Sequence, residues 1–580
     1  MSNISFSVND PNNADISFLE EQITGGLLHI LCKIRFRKKV SPEKITLSFS
    51  QLYPQAYSYW NPITYLNRSV RPGWARSCSA SRLASGAPVA CLIDARDHNA
   101  LTVALSDAAV PHQITMGLIE ETGKTEVRAE LFAQPIAPIS EYTVTLRIDT
   151  RDIPFYEAIP SVEAWWNDFC GYRPAPVPDV AKLPMDSLWY SFHQALDTEK
   201  ILAECRESKK LGMDTVIIDD GWQTDDNNRG YAFCGDWELA TKKIPDMAAL
   251  SDSLHEMGMK VMLWFSVPFV GAFSKNYERF LGMYLKENGR KNVFCLDPRF
   301  KEVRDFLTEV YANAVKSYHL DGVKLDFIDS FRLSAADMEE DPRRDKYSLE
   351  DGVSALLEQV TKALRAIDPN ILIEFRQTYI GPCIRQYGNI LRVGDCPADP
   401  LRNRGGVFDL RLLSGSTAVH SDMLMWTAEE KPEHAALQLL AVLFSVPQIS
   451  VYLPHMPSDH KKMLGHYLAI WKKYRNTLLN GRLRVYDPEA NYTLASADNG
   501  RELLAVRYAA VPFVIDAAYE EILLFNAKNE RASLVESAVD LEGKECHVYD
   551  CLGNELACLT LDSSPLFSLP IPTGGMAIIR

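Results

Sequence analysis

DGVKLDFID, residues 321–329, is an apolar, alternating run with the pattern of a buried strand, yet it carries Lys324 and Asp326 two positions apart, on one face of the pleat. On either side lie long amphipathic patterns, KEVRDFLTEVYANAVKSYH (301–319) and SLEDGVSALLEQVTKALRAI (348–367), so the strand candidate sits between two helices. Moving outward, the same alternation continues. Strand candidates are LWYSFHQ (188–194), TVIIDD (215–220), KVMLWFSV (260–267), GVKLDF (322–327), ILIEFRQ (371–377), NILRVGD (389–395), TAVHSD (417–422) and QISVYL (448–453). Helical patterns such as TEKILAECRESKKLG (198–212), DMAALSDSLHEMG (246–258) and EHAALQLLAVLFSVP (433–447) separate most of them, with polar starts and, in the first two, a closing glycine. Eight strand–helix units in a row predict an α/β fold, a (β/α)8 TIM barrel over residues 183–478.

The flanks read differently. Residues 1–165 contain short alternating runs, among them KITLSFS (44–50), EVRAELFA (126–133) and EYTVTLRID (141–149), separated by turn residues and without long helical patterns, which predicts an N-terminal β-sandwich. GYRPAPVPDVAKLP (171–184), with its prolines and small polar residues, marks a linker, placed at 166–182. Beyond the barrel, YTLASA (492–497), ELLAVRYAA (502–510), EEILLFNA (520–527) and GMAIIR (575–580) predict a small C-terminal antiparallel β-domain over 479–580.

Composition narrows the function. At 580 residues with 47% apolar and 24% charged residues, the chain has the material for several folded domains and no disordered tract. A net charge of −15 repels a phosphate backbone, and the short basic run RFRKK (35–39) is a solvated face, so no nucleic-acid partner is expected. The first residues lack a basic segment followed by an apolar one, and no apolar run reaches spanning length, so a cytoplasmic protein without a membrane partner is expected. The 12 cysteines are scattered singly and read as reduced, mostly buried thiols.

In a barrel of this kind the loops after the strands converge on one mouth, where chemistry sits. Polar residues end most of the strands: His193 and Gln194, Asp219 and Asp220, Lys324 and Asp326, Arg376 and Gln377, Asp395, and His420 and Asp422, with Ser266 ending the third. One such residue alone is as readily a helix cap or half of an ion pair as a functional group. Five or six converging ones would each cost several kcal/mol unpaired, which a design for stability alone would avoid. Two carboxylates across a pocket suit glycoside hydrolysis, one attacking the anomeric carbon or supporting a water while the other protonates the leaving oxygen. Lys324 holds Asp326 ionised, which makes Asp326 the better nucleophile, and Asp395, with Asp399 close by to help keep a proton in place, the better acid/base. Few histidines and no glycine-rich phosphate loop leave no metal or other cofactor expected. Trp189, Trp222, Trp237, Trp264 and Trp426 lie near strand ends, where most aromatics are simply packed and only Trp222 stands out.

These residues resemble the α-galactosidases of glycoside hydrolase family 36 and, more distantly, family 27, a retaining clan. VIIDDGW (216–222) is similar to the family's second-strand motif, GDWELATKKIPD (235–246) to the following loop, KVMLWF (260–265) to the third strand, VKLDF (323–327) to the nucleophile strand and VHS (419–421) to a seventh-strand signature. The resemblance covers residues 185–425. It implies Asp326 as nucleophile, Asp395 as acid/base, Asp219 and Asp220 on the 4- and 6-hydroxyls of galactose, Lys324 near the 3-hydroxyl and Trp222 as a pocket wall. His193, Arg376, Gln377 and Asp399 complete the expected substrate-binding set. It further implies a small carbohydrate as the partner and a homo-oligomer as a known family arrangement. The chain departs from the pattern at EFRQTYIGPC (374–383), which places Arg376 and Gln377 where a cysteine and a glycine-rich run face the sugar's 2-substituent. WFSVPF (264–269) lacks a glutamate that members show there, and YSFHQ (190–194) replaces a tryptophan and an acid. GRKNVFCLD (289–297) roughly resembles a loop that bears a sugar-binding arginine in the family, with neither Arg290 nor Lys291 assigned to that role. Arg376 is open to three roles: orienting the acid or the fold, binding a hydroxyl, or reading an anionic group. The expectation is a retaining α-galactosidase for short oligosaccharides, with a raffinose-synthase-type transglycosylase, a glycosidase for a modified galactose, and a non-catalytic sugar-binding barrel as alternatives.

Overall fold

The computed structural model describes residues 4–52, 56–63, 66–286, 291–530 and 532–580. Its centre is a parallel sheet of eight strands: β1 (Met185–Ser187), β2 (Thr215–Ile218), β3 (Lys260–Ser266), β4 (Gly322–Asp326), β5 (Leu372–Arg376), β6 (Ile390–Arg392), β7 (Ala418–His420) and β8 (Gln448–Ile449). Neighbours run from β7 through β6, β5, β4, β3, β2 and β1 to β8, and parallel bridges from His420 to Val446 and from Leu424 to Ile449 bring β7 back beside β8. The sheet therefore closes into a (β/α)8 barrel.

Helices Thr198–Leu211, Met247–Glu256, Lys301–Ser317, Leu349–Ile367, Pro400–Arg411, Pro432–Ala441 and Ser458–Asn480 form the outer ring. Their boundaries follow local chemistry. Asp197, for example, accepts the Lys200 amide at the start of the first, and Gly212, at φ 101°, takes the left-handed turn that ends it. Two expectations shift. Trp189–Phe192 is a single helical turn rather than part of the first strand, which ends at Ser187. Between β5 and β6 the crossover holds only the short turn Ile384–Gln386 in place of a helix.

The N-terminal region is a sandwich of a five-stranded and a six-stranded sheet around a core that includes Ile34, Phe49, Leu92 and Val127. It is followed by a helix, Phe155–Asp168, that the strand-like reading up to residue 165 had not anticipated, because its apolar positions overlap a run of aromatics. The C-terminal region holds a seven-stranded and a three-stranded sheet, antiparallel apart from Glu502–Arg507 beside Glu521–Asn526 and Phe513–Ile515 beside Ser533–Ser537. The proline-bearing stretch before β1 is packed rather than free: Ala181 is fully buried and joins Met185, Ile217, Met262, Leu372, Ile390 and Ala418 in an apolar floor under the barrel. Asp409, also fully buried, ties the three regions together by accepting from Trp60 Nε1 at 2.8 Å, Arg68 Nη2 at 2.8 Å and Tyr492 Oη at 2.7 Å. Among the described residues no helix is long and apolar enough to cross a membrane.

Candidate active site

The period of two along each strand turns the barrel interior into layers. Above the apolar floor, advancing two residues from Gly322, Leu372, Ile390 and Ala418 gives Lys324, Glu374, Arg392 and His420, all buried. Advancing two more from Lys324 and Glu374 gives Asp326 and Arg376 at the mouth. Gly322 itself is required: a Cβ there would stand 2.6 Å from Leu372 Cβ and 2.9 Å from Met262 Cγ.

The buried polar layer is held by pairing. Lys324 Nζ donates to Asp219 Oδ2 at 2.6 Å, with both side chains 4% exposed. His420 Nε2 lies 2.7 Å from the Ala181 carbonyl, which can only accept, so Nε2 carries the proton and Nδ1 accepts from Gln448 Nε2 at 3.1 Å. Burial keeps that ring neutral by lowering its pKa to about 4. Arg392 is the hub. Its Nη1 donates to Asp422 Oδ1 at 2.5 Å, its Nη2 to Asp395 Oδ1 at 3.0 Å, and its Nε lies 3.3 Å from Glu374 Oε1. Burial raises the pKa of both Glu374 and Asp422, against the opposing pull of Lys324 and Arg392 on the first and of Arg392 on the second.

Asp326 sits above this layer, 7% exposed. Its Oδ1 accepts from Arg376 Nε at 2.5 Å and from the Phe327 amide at 2.8 Å, which is turned toward it by a left-handed φ of 65°. The Tyr379 hydroxyl stands 3.3 Å from the same oxygen and 3.1 Å from the Leu325 carbonyl. Among the described residues, Oδ2 has a single donor, Trp264 Nε1 at 3.0 Å. Burial alone would raise this carboxyl, but the charges of Arg376 and Lys324 and the Trp264 hydrogen bond hold it well below the usual carboxylate range. Asp395 is different. Its side chain is 55% exposed on the loop after β6. Partial burial and the Asp326 charge push its pKa up, Arg392 and Arg376 pull it down, and the balance lies below the ordinary value. The two carboxylates are thus electrostatic neighbours at one mouth.

The remaining expected residues divide. Asp219 and Asp220 are each 3% exposed. Asp220 accepts from Gln223 Nε2 at 2.6 Å and Gln194 Nε2 at 2.8 Å, and burial with the adjacent Asp219 charge raises its pKa to about 6. His193, at φ 46°, meets the edge of Trp189 at 5.1 Å, and burial and then Arg229 lower its pKa. Three of the expected residues make contacts of another kind. Trp222 has no exposed surface to offer a ligand: it is packed against Trp237, Phe265 and Tyr318 and donates to the Trp264 carbonyl at 2.8 Å. Asp399 caps the helix Pro400–Arg411, accepting from the Arg402 amide at 3.0 Å. Gln377, 1% exposed, braces rather than faces the mouth, donating to the Pro62 carbonyl at 3.1 Å and accepting from the Gly394 amide at 3.2 Å. Arg290 lies outside the described residues, and Lys291 beside it is exposed.

Arg392, Glu374, Trp264 and Tyr379 are site residues that the sequence reading gave no role. Arg392 carried a usable signal: a cation inside the apolar run ILRVGD is the same anomaly as Lys324 inside GVKLDF.

Residues 186–375 match the family described as Melibiase. Among curated proteins, the chain is 30% identical over 146 residues to alpha-galactosidase Mel36A of Lactobacillus acidophilus, a stretch covering 24% of this chain and 20% of that protein. It is 31% identical over 117 residues to the A type blood alpha-D-galactosamine galactosaminidase of Flavonifractor plautii, covering 17% and 10%. The matched stretch therefore spans about a fifth or less of these relatives' length. Among solved structures, the GH36 alpha-galactosidase AgaA of Geobacillus stearothermophilus superposes with a TM-score of 0.62 at 16% identity, over 96% of this chain and 79% of that one, which establishes the shared fold.

Proposed function

We propose that this chain, whose barrel belongs to the melibiase family over residues 186–375, is a retaining α-galactosidase that acts on α-galactosides of short oligosaccharides by double displacement. One observation carries the reading. Asp326 is a buried carboxylate kept ionised by Arg376 and Lys324, with Oδ1 heavily donated to and Oδ2 held, among the described residues, by Trp264 alone. Oδ2 is the oxygen left with free lone pairs to attack the anomeric carbon. As the carbon–Oδ2 bond forms, the glycosidic bond breaks and Asp395, reachable from solvent, delivers a proton to the departing oxygen. Water then gives its proton to Asp395 and its oxygen to the anomeric carbon, and Asp326 leaves. Because Arg392 lowers the pKa of Asp395, the acid step requires substrate to weaken that pairing and Asp395 to take up a proton from solvent first. Asp219, Asp220 and Lys324 fit the role of reading the ring hydroxyls: an equatorial hydroxyl at a site built for an axial one leaves buried carboxylates unpaired.

The cytoplasm is the compartment that fits best, since all twelve cysteines are free thiols. A homo-oligomer remains part of the proposal. A second reading, a galactose bearing a 2-substituent, is supported by Arg376 at the mouth and by the galactosaminidase relative. A panel of nitrophenyl α-galactoside, α-N-acetylgalactosaminide and α-glucoside separates the two. For the mechanism, Asp326→Gly is expected to lose nearly all activity and to regain part of it with azide, yielding the glycosyl azide of inverted configuration. An azide product of retained configuration would instead make Asp326 the acid/base.

A further inference from the structure

Phe233 and Phe273 are 40% and 60% exposed, with ring centroids 5.0 Å apart. They stand on the loops that follow β2 and β3, at the mouth end of the barrel. The two loops are stitched together: the Gly271 amide donates to the Cys234 carbonyl at 2.7 Å and the Phe273 amide to the Ala232 carbonyl at 3.0 Å. Two residues before Phe233, Tyr231 stacks on Trp264 at 6.1 Å and meets Phe327 at 5.0 Å. Trp264 is the donor to Asp326 Oδ2. A path of rings thus leads from the candidate nucleophile toward the rim, and the two further residues, which lie in a turn, add at most about 7 Å. Single exposed apolar side chains are unremarkable. A paired set on a braced rim of the mouth offers a stacking surface without a polar handle, unlike Tyr or Trp, whose rings carry one.

We propose that Phe233 and Phe273 form an aglycone platform that selects substrates whose leaving group presents a flat apolar face, an aryl ring above all. This deepens the α-galactosidase reading and rests on it. The test compares p-nitrophenyl with methyl α-galactoside for the wild type, Phe233→Ala and Phe273→Ala. Because each variant is referred to the wild type on the same substrate, leaving-group chemistry cancels. Loss of one ring should lower kcat/KM for the aryl substrate about fivefold, with less than twofold change for the methyl one. Equal losses on both substrates, or none on either, overturn the platform. So does a shift of the variants to a smaller species in size-exclusion chromatography with the aryl-to-methyl ratio unchanged, which would make the rings a contact with a second copy. A wild type that turns over neither substrate defeats the enzymatic reading instead. The platform is then read from the Kd of p-nitrophenyl α-galactoside, which must weaken about fivefold in Phe273→Ala, and an unchanged Kd overturns it.

Discussion

Arg376→Met removes the cation that touches the candidate nucleophile while keeping most of the side chain's length. In the native site the guanidinium Nε is 2.5 Å from Asp326 Oδ1, and the two side chains are 15% and 10% exposed, so solvent screens the pair little. With charge centres about 4 Å apart and an effective dielectric near 20, the attraction is about 4 kcal/mol, equivalent to roughly three pKa units. Lys324 and the Trp264 hydrogen bond remain and oppose burial, so the Asp326 carboxyl should rise from well below the carboxylate range to about 4–5. The sign for stability follows. A carboxyl depressed in the folded state stabilises it fully above the unfolded value, near 4, and that stabilisation disappears as pH falls through the folded value. The variant should therefore be less stable than the wild type at pH 7, and the gap should narrow as pH falls below about 4. The direct assay is the rate of covalent labelling by a 2-fluoro-galactosyl fluoride between pH 3.5 and 7, with mass spectrometry to locate the label. The labelling rate of the wild type should be flat over this range, and that of the variant should halve near pH 4–5. Superimposable profiles would refute the claim that Arg376 sets the ionisation of Asp326, and a label on another side chain would refute its role as nucleophile.

Other perturbations bear on the same network. Trp264→Phe keeps the ring but deletes the donor to Oδ2. It should lower kcat at least tenfold with little change in KM, since a hydrogen bond to a charged group contributes about 1.5–3 kcal/mol. Lys324→Met leaves Asp219 buried and unpaired, so urea unfolding at pH 7 should show a loss of about 3–5 kcal/mol. Asp409→Asn strips the counter-charge from Arg68, whose side chain is 1% exposed, and should loosen the junction of sandwich, barrel and C-terminal sheets. Limited proteolysis should release fragments cut between these regions at temperatures where the wild type stays intact.

What the sequence determined by itself is what repeats along the chain. Alternating strand and helix periods are local signals, and eight of them define a closed parallel barrel however the details fall. The anomaly of charged residues in apolar strands likewise marked Lys324 and Asp326, because side chains two apart on a strand must share a face. Where local signals overlapped, the reading slipped: aromatics served both a strand and a turn at 188–194, and the helix at 155–168 hid among them. Tertiary structure alone decided the pairings. Nothing in the order of residues says that Lys324 meets Asp219 while Arg376 meets Asp326, that Arg392 joins Asp395 to Asp422, or that Trp222 turns outward into the core while Trp264 turns inward. Those outcomes depend on strand register and barrel closure, which bring together residues about fifty to a hundred positions apart, and a charge buried there takes its partner from geometry rather than from its neighbours in sequence.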